Sequence, residues 1–127
     1  MRILHVSPGD VPTRTPAAAA LAHLPHDVAF TTDRTADLAA APGADLVVLD
    51  ATEDLSAAAR ISERLRAVGR QEPVLVVLTE GMMVAASPRW EVADMVLPTA
   101  GPAELEARLR LGAARGTATA HAAPAAA

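Results

Sequence analysis

The chain has 127 residues, the length of one domain with enough material for a self-supporting core. With no cysteine it has neither a disulfide framework nor thiolate metal sites, which suits a reducing cytoplasm. A net charge of −4 without a basic face, and Trp90 and Phe30 as the sole aromatics, argue against nucleic-acid binding by this chain itself. No apolar run reaches 18 residues, so no membrane span is expected. The opening "MRILHVSPGD" is not a signal peptide, because its apolar run breaks after six residues.

Short β-rich runs alternate with alanine-rich helical ones. "RILHV" (2–6) reads as a first strand, followed by a Pro/Gly/Asp loop. "PAAAALAHL" (16–24) reads as a helix with Pro16 in its first turn. "DVAFTT" (27–32) is a second strand, and Asp33 is placed to cap "RTADLAAA" as a second helix. "ADLVVL" is a third strand, apolar throughout as expected for a strand buried on both faces, and it ends on Asp50. Ser56 is placed to cap "AAARISERLRAVG", where Ile61, Leu65 and Val68 recur at helical spacing and Gly69 stops the helix. "PVLVVLT" (73–79) is a second doubly buried strand. "GMMVAA" reads as a short or irregular helix interrupted at Pro88, "ADMVL" (93–97) as a fifth strand. Pro102 opens a last helix, "AELEARLRLGAAR", with Leu105, Leu109 and Leu111 on or near its inner face. Strands alternating with helices imply right-handed crossovers and a parallel sheet covered on both sides. The domain is read as 1–111, and residues 112–127 as an Ala/Pro-rich disordered tail or linker.

Function in an open parallel sheet gathers beyond the carboxyl ends of the strands. Here those ends carry Ser7 and Pro8, Asp50, Thr79 with Glu80, and Pro98 with Thr99. Asp50 has three readings: a strand terminator or local loop cap, a structural acid accepting from Thr79, Thr52, Ser7 or backbone amides, or a reactive carboxylate. The four histidines lack ligand spacing; His5 is expected to pack and His23, His26 and His121 to be solvated. Ser7 has no paired base, and no glycine-rich phosphate loop or acid/base constellation occurs, so no enzyme, metal or cofactor is expected. Glu63, Arg64 and Arg66 read as a solvated face, Met82 and Met83 as loosely packed core, and Trp90 as an anchor for the irregular helix.

A (βα)5 chain with Asp50 ending strand three, Thr79 ending strand four and "ELEARLR" on the last helix resembles a response-regulator receiver domain. The segment "LTEGMMVAASPRWEVADMVLPTAGPAELEARLRLG" (78–112) is similar to the atypical receivers of actinobacterial nitrogen-type regulators, the GlnR group of the OmpR family. The resemblance covers 44–112 in detail and 1–43 by layout. It implies a flavodoxin-like (CheY-like) α/β fold with strand order 2-1-3-4-5. It puts Asp50 at the phospho-acceptor position and Thr79 at the switch-hydroxyl position, in a pocket with Ser7, Pro8, Thr52 and Pro98.

Three departures matter. An ordinary receiver holds Mg²⁺ with two acids after strand one; this chain has Ser7-Pro8 there, and Asp10 falls beyond that position. The lysine after strand five is replaced by Leu97-Pro98, and the aromatic switch partner by Met95 and Val96. Phosphoryl transfer rests on positioning and charge neutralisation, so Asp50 is expected not to be phosphorylated. The family's fourth helix, fifth strand and last helix form a two-fold dimer face. On that resemblance Asp94 and Arg108 form a cross-subunit pair, with Glu104, Leu105, Leu109 and Arg110 also at the interface. The expected role is that of a cytoplasmic receiver in an atypical transcriptional regulator, dimerising without phosphorylation and positioning a winged-helix DNA-binding domain beyond the tail. The alternatives are a phospho-Asp50 switch and a receiver sensing a small molecule in the vacated acidic pocket.

Overall fold

The computed structural model describes residues 1–9 and 15–122, with no account of the side chains of Pro16 and residues 116–122. Asp10 and the side chain of His121 therefore lie outside the described residues. Among the described residues, strands β1 (Arg2–Ser7), β2 (Asp27–Thr32), β3 (Leu46–Asp50), β4 (Val74–Val77) and β5 (Asp94–Val96) form one parallel sheet in the order β2-β1-β3-β4-β5. Helices α1 (Pro16–Leu21), α2 (Thr35–Ala40), α3 (Ala57–Ala67) and α4 (Pro102–Ala122) connect or follow the strands, and the β4–β5 crossover is two 3₁₀ segments, Glu80–Ala85 and Pro88–Trp90. This is the flavodoxin-like order expected from the sequence.

The pleat sorts the apolar runs of the strands into two cores, because successive side chains leave opposite faces. Leu4, Val6, Val47, Leu49, Val74 and Val76 pack with Leu38 of α2, Ile61 and Leu65 of α3 and Trp90. Ile3, Leu46, Val48, Leu75 and Val77 pack with Ala17 and Leu21 of α1 and Leu105 and Leu109 of α4. The same alternation puts His5 and Ser7 on the Ile3 side of β1, and Asp50 on the Leu46 and Val48 side of β3.

Two expected caps are absent. Arg34 occupies the N-cap of α2 without a side-chain bond, and Asp33 binds elsewhere. Ser56 makes no cap bond either; its amide and hydroxyl donate to Asp54, at 3.1 and 2.6 Å. α1 stops at Leu21, three residues short of the expected end, while Thr15 caps its start by accepting from the amide of Ala18.

The last helix shows the largest difference. It runs to Ala122, through the first 11 of the residues read as a tail, and residues 123–127 lie outside the description. Gly112 makes this possible. It is buried, and a Cβ there would stand 2.8 Å from Cδ1 of Leu46, so a residue without a side chain lets the helix pass close over the start of β3. Apolar periodicity vanishes at such a contact because the close approach itself does the packing. Leu111, expected near the inner face, is 64% exposed.

Candidate functional site

Asp50 ends β3 and is 2% exposed. Its Oδ1 accepts from the amide and hydroxyl of Thr52, at 2.9 and 2.6 Å, which closes the turn that follows the strand. Its Oδ2 is buried and has no hydrogen-bond partner among the described residues. The carbonyl of Thr79 accepts from the amide of Met82, but its hydroxyl makes no bond among the described residues, so the structure does not join it to Asp50. Pro8 and Pro98 are half-buried, and their rings carry no charge to set against the carboxylate.

His5 completes this corner, and sequence reasoning missed its part in it. The imidazole is fully buried on β1, 3.1 Å from Thr15 Oγ1 through Nε2 and 3.5 Å from Ser7 Oγ through Nδ1. Burial pushes the imidazole below its ordinary value of 6.5, and the negative charge of Asp50 partly opposes that shift. The signal available in the sequence was position: His5 and Ser7 share a face of the strand next to β3, two residues apart.

A second group of charges forms on the other side of the sheet. Asp33, buried just after β2, accepts from the amide of Gly9 at 3.2 Å and from Arg60 at 3.0 Å. Arg64 lies 3.5 Å from the same carboxylate and donates to the Asp33 carbonyl at 2.8 Å. Arg60 also reaches Asp54 at 3.2 Å. The hydroxyl of Ser56 holds the Asp54 carboxyl below its ordinary value against a small burial penalty, and Arg60 adds to the effect. Arg64 and Arg66, read as a solvated face, are both engaged: Arg66 donates to the carbonyls of Arg70 and Glu72 and pairs with Glu91. An open cleft of about 630 Å³ adjoins this group, lined by Pro8, Gly9, Asp33, Arg34, Thr35, Asp54, Arg60 and Arg64. Of the expected pocket residues, only Pro8 borders it.

The expected dimer residues divide. Asp94 and Arg108 meet within one chain, at 3.1 Å, with both side chains about a third exposed. Leu105 and Leu109 are 3% and 0% exposed, filling the core under α4, so they offer nothing to a partner. Arg110 pairs with Glu106 one turn back, about 200° around the helix from Arg108, and so leaves the β5 side. Glu106 in turn receives Nε2 of His26, whose Nδ1 faces the terminal amine of Met1 at 3.1 Å. The His26 side chain is 7% exposed, contrary to the expectation of a solvated residue. Glu104, Arg108, Leu111 and Arg115, spaced i, i+4, i+7 and i+11, form the outer stripe of α4, and Arg115 donates to the Ala93 carbonyl beside β5.

Residues 1–113 match the family model described as transcription regulator GlnR, N-terminal domain. The chain belongs to this family. Among solved structures, the BeF₃-activated receiver domain of RstA from Klebsiella pneumoniae is 25% identical with a TM-score of 0.60, covering 89% of this chain and 98% of that one. A CheY-like response regulator from Mesorhizobium loti is 23% identical with a TM-score of 0.55, covering 88% and 99%. NtrX from Brucella abortus, in complex with ADP, is 18% identical with a TM-score of 0.67; it covers 95% of this chain, which spans only 29% of NtrX. A search of curated proteins finds no match. The chain is thus an atypical receiver domain of a GlnR-like transcription regulator, on a CheY-like fold. Among the described residues no helix is long and apolar enough to cross a membrane.

Proposed function

We propose that this receiver regulates transcription as a homodimer whose formation does not require phosphorylation of Asp50, and that the dimer positions a DNA-binding domain C-terminal to it, in the cytoplasm. The observation that carries the reading is the setting of Asp50: one oxygen is spent on Thr52, the other is buried, and the ends of β1 and β5 carry Ser7, Pro8 and Pro98 in place of acids and a lysine. A phosphorylated carboxylate adds charge that needs a metal ion or a cation beside it. No cluster of three or more His, Asp or Glu suited to a metal occurs among the described residues. On this reading the domain is no enzyme and needs no cofactor. Incubation with acetyl phosphate and Mg²⁺ should leave the intact mass unchanged; an Asp50-dependent gain of one phosphoryl group establishes a phospho-switch instead.

The β5 side of α4 supports the dimer. Arg108 holds Asp94 with one nitrogen, while its buried Nε lacks an acceptor among the described residues. The rest of the guanidinium is about a third exposed, so it can pair with Asp94 of a second copy across a two-fold axis, and each such contact occurs twice. Leu111, and Val84 on the preceding 3₁₀ segment at 92% exposed, supply apolar surface in place of Leu105 and Leu109, with Glu104 at the rim. Light scattering at micromolar concentration should give a dimer for the wild type and a shift toward monomer for Arg108→Glu, with partial recovery on adding Asp94→Arg. A monomeric wild type refutes the reading.

A further inference from the structure

The cleft beside Asp33 has the charges of a site without the ligand. Its lining includes three arginines, Arg34, Arg60 and Arg64, and two aspartates, Asp33 and Asp54. Both carboxylates are spent. Asp33 Oδ1 takes the Gly9 amide and Oδ2 takes Arg60 and Arg64. Asp54 Oδ1 takes both donors of Ser56, and Oδ2 takes Arg60.

The cations are not equally spent. Arg60 spends both terminal nitrogens on Asp33, Asp54 and Ser56. Among the described residues Arg64 uses only Nη1, and its Nη2 and Nε make no bond. Arg34 is exposed at the start of α2, and its guanidinium makes no hydrogen bond or ion pair among the described residues. Thr35 also borders the cleft, and its hydroxyl makes no hydrogen bond among the described residues.

From this geometry we infer that the cleft binds a small phosphate-bearing ligand, its phosphate held by Arg34, Arg64 and the Thr35 hydroxyl. Guanidinium groups pair bidentately with oxyanions, and the one positive charge in excess among the described lining residues matches an anion. Donors arriving from two separate elements suit the three terminal oxygens of a phosphate better than the two of a carboxylate. A volume of about 630 Å³ leaves room for the body of a nucleotide-sized or sugar-sized molecule beyond the phosphate. Asp33 serves as the organiser: its buried carboxylate fixes Arg60 and Arg64 and ties the loop after β1, through Gly9, to the same point. The site lies on the α3 side of the sheet, opposite Asp50, so it is independent of the phospho-acceptor position and of the dimer face.

Inorganic phosphate is the probe, titrated into the whole chain and followed by amide chemical shifts, with sodium chloride at matched ionic strength and succinate as the carboxylate control. Saturable shifts at millimolar phosphate, centred on Gly9, Thr35 and Arg64, are expected. Arg34→Gln, which removes no contact from the folded chain, should melt as the wild type does and bind phosphate about tenfold more weakly. Arg64→Lys keeps the charge but loses the planar fork, and should weaken binding as well. A response no larger than that to sodium chloride, or unchanged binding by Arg34→Gln, overturns the site. Equal, Arg34-dependent binding of succinate overturns the assignment to phosphate.

Discussion

Asp33 and Asp50 are both buried acids at the carboxyl edge of one sheet, yet the fold treats them in opposite ways. Asp33, on the α3 side, accepts an amide and two guanidinium groups. Asp50, on the α1 side, has one threonine and an unpartnered oxygen next to a buried histidine. A buried charge costs several kcal/mol unless it is paired, so the first acid is held by its partners and the second is tolerated at a cost. The position that family likeness singles out is therefore the electrostatically unfinished one, and the acid without a motif is the fully partnered one.

The largest effect expected from breaking this contrast is at Asp33. Asp33→Ala leaves Arg60 and Arg64 without their shared acceptor and frees the loop at Gly9. It should cost about 2–4 kcal/mol, less than a fully buried pair because both arginines are a third exposed. Chemical denaturation with an unchanged m-value would measure it; a loss below about 1 kcal/mol would mean the pair is ornamental.

At Asp50 the substitutions should separate. Asp50→Ala removes the acceptor of two Thr52 donors and should cost about 1 kcal/mol, the low end for a half-buried donor. Asp50→Asn keeps an acceptor for Thr52 and removes the buried charge, so its melting temperature should equal or exceed that of the wild type. A drop as large as that of Asp33→Ala would show that the orphan oxygen has a partner in solution.

The pH response is smaller and has two parts. The folded chain resists protonating His5, whereas the unfolded chain takes up that proton near 6.5. Stability should therefore be flat above that pH and fall as pH drops below it, no more steeply than about 1.4 kcal/mol per pH unit from this group. His5→Gln should flatten that limb. Glu106 acts in a lower window: its carboxyl is held below 4.5 by His26 and then Arg110, so its contribution is present at neutral pH and lost as pH falls below 4.5.

The smallest effect links the two residues of the weaker corner. Asp50→Asn removes the negative charge that opposes the effect of burial on His5, so the His5 titration followed by NMR should move further down. An unmoved titration would mean that Asp50 carries no charge beside it.

The order of elements, the doubly buried strands and the parallel sheet were legible from apolar runs and their spacing, because those signals are local: Leu46 to Leu49 and Val74 to Leu78 are buried throughout, as their composition requires. The likeness to receiver domains was legible too, since the residues ending β3 and β4 and the pattern of α4 are contiguous in the chain. What the chain could not display is which residues far apart in sequence share a side of the sheet. Gly112 looked like the start of a linker and is a packing contact with Leu46, 66 positions away. Asp33 looked like a helix cap and is the acceptor for two arginines on α3; Leu105 and Leu109 looked available to a partner and are sealed against β3, β4 and β5. Local propensity and patterning decide the elements, whereas the pairing of buried charges and the sealing of α4 arise only when the pleat and the crossovers bring distant side chains onto one face.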